Sequence, residues 1–170
     1  MLGWFTLSAD AAPGAADDLL LRLARDLGDA GLRVTGAVQR NTDHGADCEC
    51  DMDVIVLGEE DRPIRISQSL GTGSQGCRLD AGALEMAAVR VGAKLAGAEL
   101  VIVPKFGRQE AAGRGFRSVI AQAVSDGVPV LLHVPAEQQR DFAAFGGDLA
   151  ERVAPERLGD WCLARTAGPA

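Results

Sequence analysis

Two short runs of the chain, Leu100–Val103 (LVIV) and residues 128–134 (VPVLLHV), are apolar and rich in branched side chains. Neither alternates between apolar and polar positions. A strand of this kind is covered on both faces, which calls for a parallel sheet with helices above and below it. Helical spacing appears around these runs. Leu19, Leu20, Leu23, Ala24 and Leu27 predict a helix over 15–30, with Gly31 as its C-cap. Leu84, Ala87, Ala88, Val91 and Leu95 predict a second over 80–97, and Val119, Ile120 and Ala123 a third over 115–126. Residues 137–145 and 155–163 read as further helices, the last with Trp161 packed on the sheet edge. Strands are expected at 4–7, 33–39, 52–57 and 63–67, the last two pairing as a hairpin. The opening strand–helix–strand order is a βαβ unit with a right-handed crossover. The expected architecture is an α/β three-layer sandwich with a mainly parallel sheet and a β-hairpin insertion, in one domain over 1–170.

Charge narrows the function classes. The chain has a net charge of −7, which argues against a general nucleic-acid or anionic-membrane binder. An anion site in such a chain is a local basic patch. No apolar stretch approaches the length of about 18 residues needed to span a bilayer. The first residues, MLGWFTLSADAAPG, lack the basic start and apolar core of a signal peptide. A cytoplasmic location is therefore expected.

The stretch 99–117, ELVIVPKFGRQEAAGRGFR, carries the clearest chemical signal. The chain has only two lysines, Lys94 and Lys105, and Lys105 follows a buried strand directly. Open α/β sheets place their ligands at the carboxyl ends of strands. Arg108, Glu110, Arg114 and Arg117 follow, spaced by Gly107, Gly113 and Gly115. A solvated basic helix face is the plainer account of such a charge run. Its place after a buried strand favours ligand contact instead, with arginine forks gripping pairs of oxygens. Glu110 would orient Lys105 or Arg114 by a salt bridge, or serve as a general base.

A second signal is the glycine-rich run 66–80, ISQSLGTGSQGCRLD. Ser67, Gln68, Gly71, Thr72, Gly73 and Ser74 offer backbone N–H groups and hydroxyls that can wrap an oxyanion, with Arg78 as a clamp. Glycines that only make turns, with Arg78 paired to Asp80, are the alternative. The first β–α loop, SADAAPGAADD, lacks the G-x-x-x-x-G-K-[ST] pattern of a phosphate loop. Asp10, Asp17 and Asp18 suit a helix start there but repel a phosphate. His133 reads as a hydrogen-bonded core residue near a strand end. His44, Cys48 and Cys50 could hold a soft metal, but a closed site needs a second ligand pair that the spacing lacks. No metal and no cofactor are expected.

The order of elements, with GAVQR, ELVIVPKFGRQE and GVPVLLHV at successive strands, resembles the small nucleoside-triphosphatases first described from thermophiles. That resemblance implies a P-loop-NTPase-like fold. Gly107 and Glu110 match the family's Gly-x-x-Glu, and Arg40 its loop arginine. Pro104 and Lys105 stand where its Walker B acids would be, and the Walker A lysine is missing. Magnesium needs hard oxygen ligands, which a lysine does not supply. The runs ISQSLGTGSQGCRLD and LVIVPKFGRQEAAGRG resemble more closely a bacterial family of unknown function that shares these departures, and whose members are often encoded beside molybdate-transport genes.

These readings converge on a non-hydrolytic binding or regulatory protein for a small anion: an oxyanion such as molybdate or phosphate, or a nucleotide. The expected ligand residues are Ser67, Gln68, Gly71, Thr72, Gly73, Ser74, Arg78, Lys105, Gly107, Arg108, Glu110 and Arg114. Two alternatives stay open. One is an enzyme acting on a nucleotide or phosphorylated substrate by positioning alone. The other is a ligand-free partner-binding domain. A homodimer is expected to be compatible with any of them.

Overall fold

The computed structural model describes residues 1–42, 51–68 and 78–166. Its main sheet has seven strands in the order β4-β3-β2-β7-β8-β1-β9. These are β1 (Leu2–Phe5), β2 (Val34–Thr42), β3 (Asp51–Val56), β4 (Ile64–Arg65), β7 (Leu100–Val103), β8 (Val130–His133) and β9 (Ala150–Arg152). Strands β2, β7, β8, β1 and β9 run parallel, while β3 and β4 add an antiparallel hairpin beside β2. A two-stranded ribbon, β5 (Ser67–Gln68) with β6 (Arg78–Leu79), stands apart from this sheet.

Both faces are covered. Leu100, Ile102, Leu131 and Phe5 point into one core with helices α1 (Ala15–Asp29) and α6 (Leu158–Thr166). Val101, Val103, Val130 and Leu132 point into the other. That second core also takes Leu84 and Val91 of α2 (Ala81–Gly92), Val119 and Ile120 of α4 (Arg117–Ser125) and Phe142 of α5 (Gln139–Gly146). Alternate residues of one apolar strand thus serve two cores, which is why LVIV shows no polar alternation. The result is a three-layer α/β sandwich of the P-loop-NTPase type with a β-hairpin insertion.

Local chemistry sets the element ends. Helix α1 buries Ala16, Leu20, Leu23, Ala24 and Leu27 along one stripe. It stops where Leu32 N–H reaches Leu27 O (3.1 Å) and Gly31 N–H reaches Gly28 O (2.9 Å), with Gly31 at φ 91°. This is a Schellman close, which needs the left-handed conformation that glycine adopts freely. Asp80 caps α2 by accepting from Ala83 N–H at 2.9 Å. At Gly36 (φ 122°) strand β2 comes so close to β7 that an added Cβ would lie 1.9 Å from Ile102 O.

Several expectations are corrected. The first strand is Leu2–Phe5 rather than 4–7, and α2 ends at Gly92 rather than 97. The opening βαβ unit holds, but β7 and β8 lie between its two strands. Strand β9 was not expected: Ala150, Glu151 and Arg152 are short and half polar, as suits an edge. Trp161 does pack at that edge, lying over Gly3 and donating its indole N–H to Glu151 at 3.0 Å. No described helix is long and apolar enough to cross a membrane.

Candidate functional site

The sheet order brings the ends of β7, β8 and β1 side by side, so the residues that follow each strand share one edge. After β7, Phe106 turns inward. It is fully buried against Phe142 and Phe145, and its N–H reaches His133 O at 2.9 Å. With Phe106 fixed in the core, Lys105 is left exposed at the edge.

Lys105 lines two cavities. The first, of about 400 Å³, opens between the β1–α1 loop and the end of β8, and is bounded by Ser8, Gly14, Asp17, His133 and Glu137. The second, of about 300 Å³, is largely apolar and lies between the β3–β4 hairpin, α2 and the segment after β7. Met52, Val54, Ile66, Leu79, Leu84 and Phe116 form its walls, and Arg108 stands at its rim. Pro135 and Glu137 join Lys105 in lining both. Neither Lys105 nor Arg108 has an ion pair among the described residues.

The β1–α1 loop occupies the position of a phosphate loop. Counted from Gly14 at the helix N-cap, Ala15 and Ala16 stand where the pattern requires lysine and a hydroxyl. No side chain caps α1: Gly14 holds that position at φ 80°. Asp17 and Asp18 lie in the first turn of α1, where their charge suits the helix dipole. Asp17 also turns toward the first cavity and accepts from Asn41 Nδ2 at 2.7 Å. Burial raises its pKa above the usual carboxylate value, against the pull of Lys105 and Asn41. His133 is pushed down to about 4, first by burial and then by the charge of Lys105. It is therefore a neutral imidazole at pH 7.

The expected salt bridge of Glu110 with Lys105 or Arg114 does not form among the described residues, and Glu110 lines the apolar cavity. It is 3% exposed, and its two carboxylate oxygens accept from Gly107 N–H (2.8 Å) and Phe116 N–H (3.0 Å). An added Cβ on Gly115 would lie 2.3 Å from its Oε1. This carboxylate pins the β7–α4 segment, including the short helix α3 (Arg108–Ala111), and forms no salt bridge with Lys105 or Arg114. Arg117 is half-buried: it donates to Glu110 O at 3.0 Å and stacks on Phe145 at 4.3 Å. Gly107 lies in the lining of the apolar cavity, whereas Arg114 is exposed and lines neither cavity.

In the glycine-rich run, Ser67 Oγ accepts from Met52 N–H at 3.0 Å, and Gln68 pairs with Arg78 across the ribbon. Gly71, Thr72, Gly73 and Ser74 lie outside the described residues, as do His44, Cys48 and Cys50. Arg40 pairs with Asp53 at 3.7 Å within the hairpin.

Three glutamines were absent from the sequence-based site. Gln39, Gln109 and Gln138 all line the apolar cavity. Oε1 of Gln109 and of Gln138 is buried without a hydrogen-bond partner. The available signal was position: Gln109 lies inside the GRQE run, and Gln138 follows the end of β8.

Comparison with known proteins supplies the kinship. The model of a family described as protein of unknown function (DUF2478) matches residues 6–161. The molybdenum import ATP-binding protein ModC 2 of Bradyrhizobium diazoefficiens is 41% identical over 142 residues. The match takes in 83% of this chain but only 16% of that protein's length. No solved structure matches. With nearly its whole length under the family model, the chain belongs to the DUF2478 family.

Proposed function

We propose that the protein binds a small anion or a phosphate-bearing nucleotide at the crevice around Lys105, without hydrolysing it. The observation that carries this reading is the placement of Lys105. It is a cation with no ion pair among the described residues, held at the carboxyl end of a central strand and shared by two cavities. Such a position is where α/β sheets bind ligands. Arg108 adds a planar fork on the same side.

Hydrolysis is disfavoured on the same grounds. Ala15 and Ala16 replace the phosphate-gripping lysine and the magnesium-binding hydroxyl. Lys105 replaces a carboxylate that would hold the ion. Kinship to an ATP-binding protein of molybdenum import supports a nucleotide or an oxyanion as ligand. Because the match spans a sixth of that protein, we read this domain as a ligand-sensing companion to such machinery.

A thermal-melt screen against phosphate, sulfate, molybdate, tungstate, ATP and GTP, with and without magnesium, tests the reading. A ligand bound only by the native state raises the melting point in proportion to the logarithm of its concentration. At least one anion should do so without magnesium and without being consumed, and Lys105→Ala should abolish the shift. Magnesium-dependent turnover of ATP or GTP, or a shift that survives Lys105→Ala, would contradict it.

A further inference from the structure

We infer that the apolar cavity beside Lys105 takes an amphipathic organic anion, a carboxylate or phosphate monoester with a compact hydrocarbon body. Its charged head would meet Lys105 and Arg108, and its body Met52, Leu79 and Leu84. The inference rests on the proposed anion site and names the other half of its ligand.

Three observations carry it. The first is that positive charge and apolar surface share one cavity. Lys105 and Arg108 both line it, both are exposed, and neither has an ion pair among the described residues. Met52 and Leu79 are half-buried and Leu84 is 8% exposed, so these lining side chains keep apolar surface uncovered. An inorganic oxyanion would meet the cations and leave that surface wet. A neutral hydrocarbon would cover it and strip water from two charges without offering them a partner. A ligand with hydrocarbon beside its charge does neither. Burying about 55 Å² of apolar surface is worth tenfold in affinity.

The second observation is size. The cavity has a volume of about 300 Å³. An apolar cavity of about 150 Å³ holds one benzene, so the space admits a body of up to about two rings. The third is preorganisation. Glu110 accepts from Gly107 N–H at 2.8 Å and from Phe116 N–H at 3.0 Å, and Arg108 opens helix α3 between these two anchors. A segment fixed in this way loses less freedom when a ligand binds. Two carboxylates also line the cavity. Glu110 is engaged by those N–H groups, and Glu137 forms no ion pair with Lys105 or Arg108 among the described residues. Both cations are thus left for an anion from outside, and the arginine fork suits a carboxylate or a phosphate equally.

Calorimetric titration of the wild-type protein in magnesium-free buffer tests the proposal. The ligands are two pairs, inorganic phosphate with phenyl phosphate and acetate with benzoate, together with glycerol 1-phosphate and benzyl alcohol. In at least one pair the aromatic anion should bind at least tenfold more tightly than its small counterpart, and the tighter pair names the head. Glycerol 1-phosphate, whose body is polar, should gain nothing over phosphate, and benzyl alcohol should bind at least tenfold more weakly than the aromatic anion. Lys105→Ala and Arg108→Ala should each weaken the aromatic anion about tenfold. Leu84→Trp, which fills the cavity, should remove the aromatic gain and leave binding of the small anion unchanged. Met52→Gln, at a half-buried position, should reduce the same gain and keeps the test decisive if Leu84→Trp folds poorly. Equal affinities within both pairs overturn the apolar subsite and leave the anion site standing. No binding of any anion, or aromatic binding indifferent to both cation changes and matched by benzyl alcohol, overturns the anion site and this inference together. An aromatic gain that survives both Leu84→Trp and Met52→Gln puts the body elsewhere and overturns the inference.

Discussion

Single side chains at the sheet edge do opposite kinds of work. Glu110, a candidate ligand residue by its spacing, is spent on two backbone N–H groups. Each N–H left unpaired in the interior costs about 1–3 kcal/mol. Glu110→Ala should therefore lower the unfolding free energy by about 3 kcal/mol in urea titrations, and Glu110→Gln, which keeps one oxygen, by about half as much. Lys105 is the reverse: exposed and free of any described ion pair, it should be replaceable at little cost in stability. Its charge still reaches His133, whose pKa lies near 4 because of burial and this lysine. Lys105→Ala should move that pKa upward toward the free value of 6.5, read from the imidazole NMR signal with His133→Gln for assignment. An unchanged value would mean the two groups do not share the crevice. The sign for stability follows from the same shift. The unfolded chain takes up a proton at His133 below pH 6.5, while the folded one resists until about 4. This imidazole's contribution is intact above pH 6.5 and is lost on acidification toward pH 4. Spacing in the sequence singled out Lys105 and Arg108 as candidates, and both line the apolar cavity. It could not tell that Glu110 would be consumed internally, because a carboxylate's partners depend on which backbone N–H groups the following turn delivers. Gln109 and Gln138 were illegible for a related reason: an amide is informative only once it is seen buried and unpaired.

At the scale of elements, the edge is built by the close approach of β2 to β7 and by the short anchor between β7 and α4. Gly36 permits the first, since a Cβ there would collide with Ile102 O at a backbone angle that other residues rarely adopt. Gly36→Ala should cost more than about 4 kcal/mol or prevent folding, seen as loss of cooperative melting by circular dichroism. A cooperative melt near the wild-type temperature would show that β2 can move away from β7. The parallel strands and the long helices were legible because their apolar spacing is dictated by burial on known faces. Gly31 was legible too, because a helix close of this geometry demands a left-handed residue. Strand β9 and the ribbon β5–β6 were not. Strands of two or three residues with polar edges carry no period of their own, and they form because neighbouring backbone groups need partners. Gly14 holds the N-cap of α1, Asp17 and Asp18 lie in its first turn, and Asp17 faces the crevice.

Taken as a whole molecule, the protein keeps the three-layer frame of a P-loop NTPase and rearranges its charges. Ala15 stands at the start of α1, and Lys105 follows the end of β7, two strands away from β1. On the function we propose, a site of that polarity holds an anion rather than activating water. The family and the frame were readable from two sequence runs, whereas the pairing of a polar crevice with an apolar, glutamine-edged cavity emerges only when the hairpin, α2 and the β7–α4 segment meet. Direct titration of the wild-type protein and of Lys105→Ala with inorganic phosphate, molybdate and GMP in magnesium-free buffer tests the central claim. Saturable binding of at least one of them, weakened tenfold or more by the substitution while the unliganded melting point stays within a few degrees, is the predicted result. Equal affinities in the two proteins, or no binding by the wild type, would contradict it.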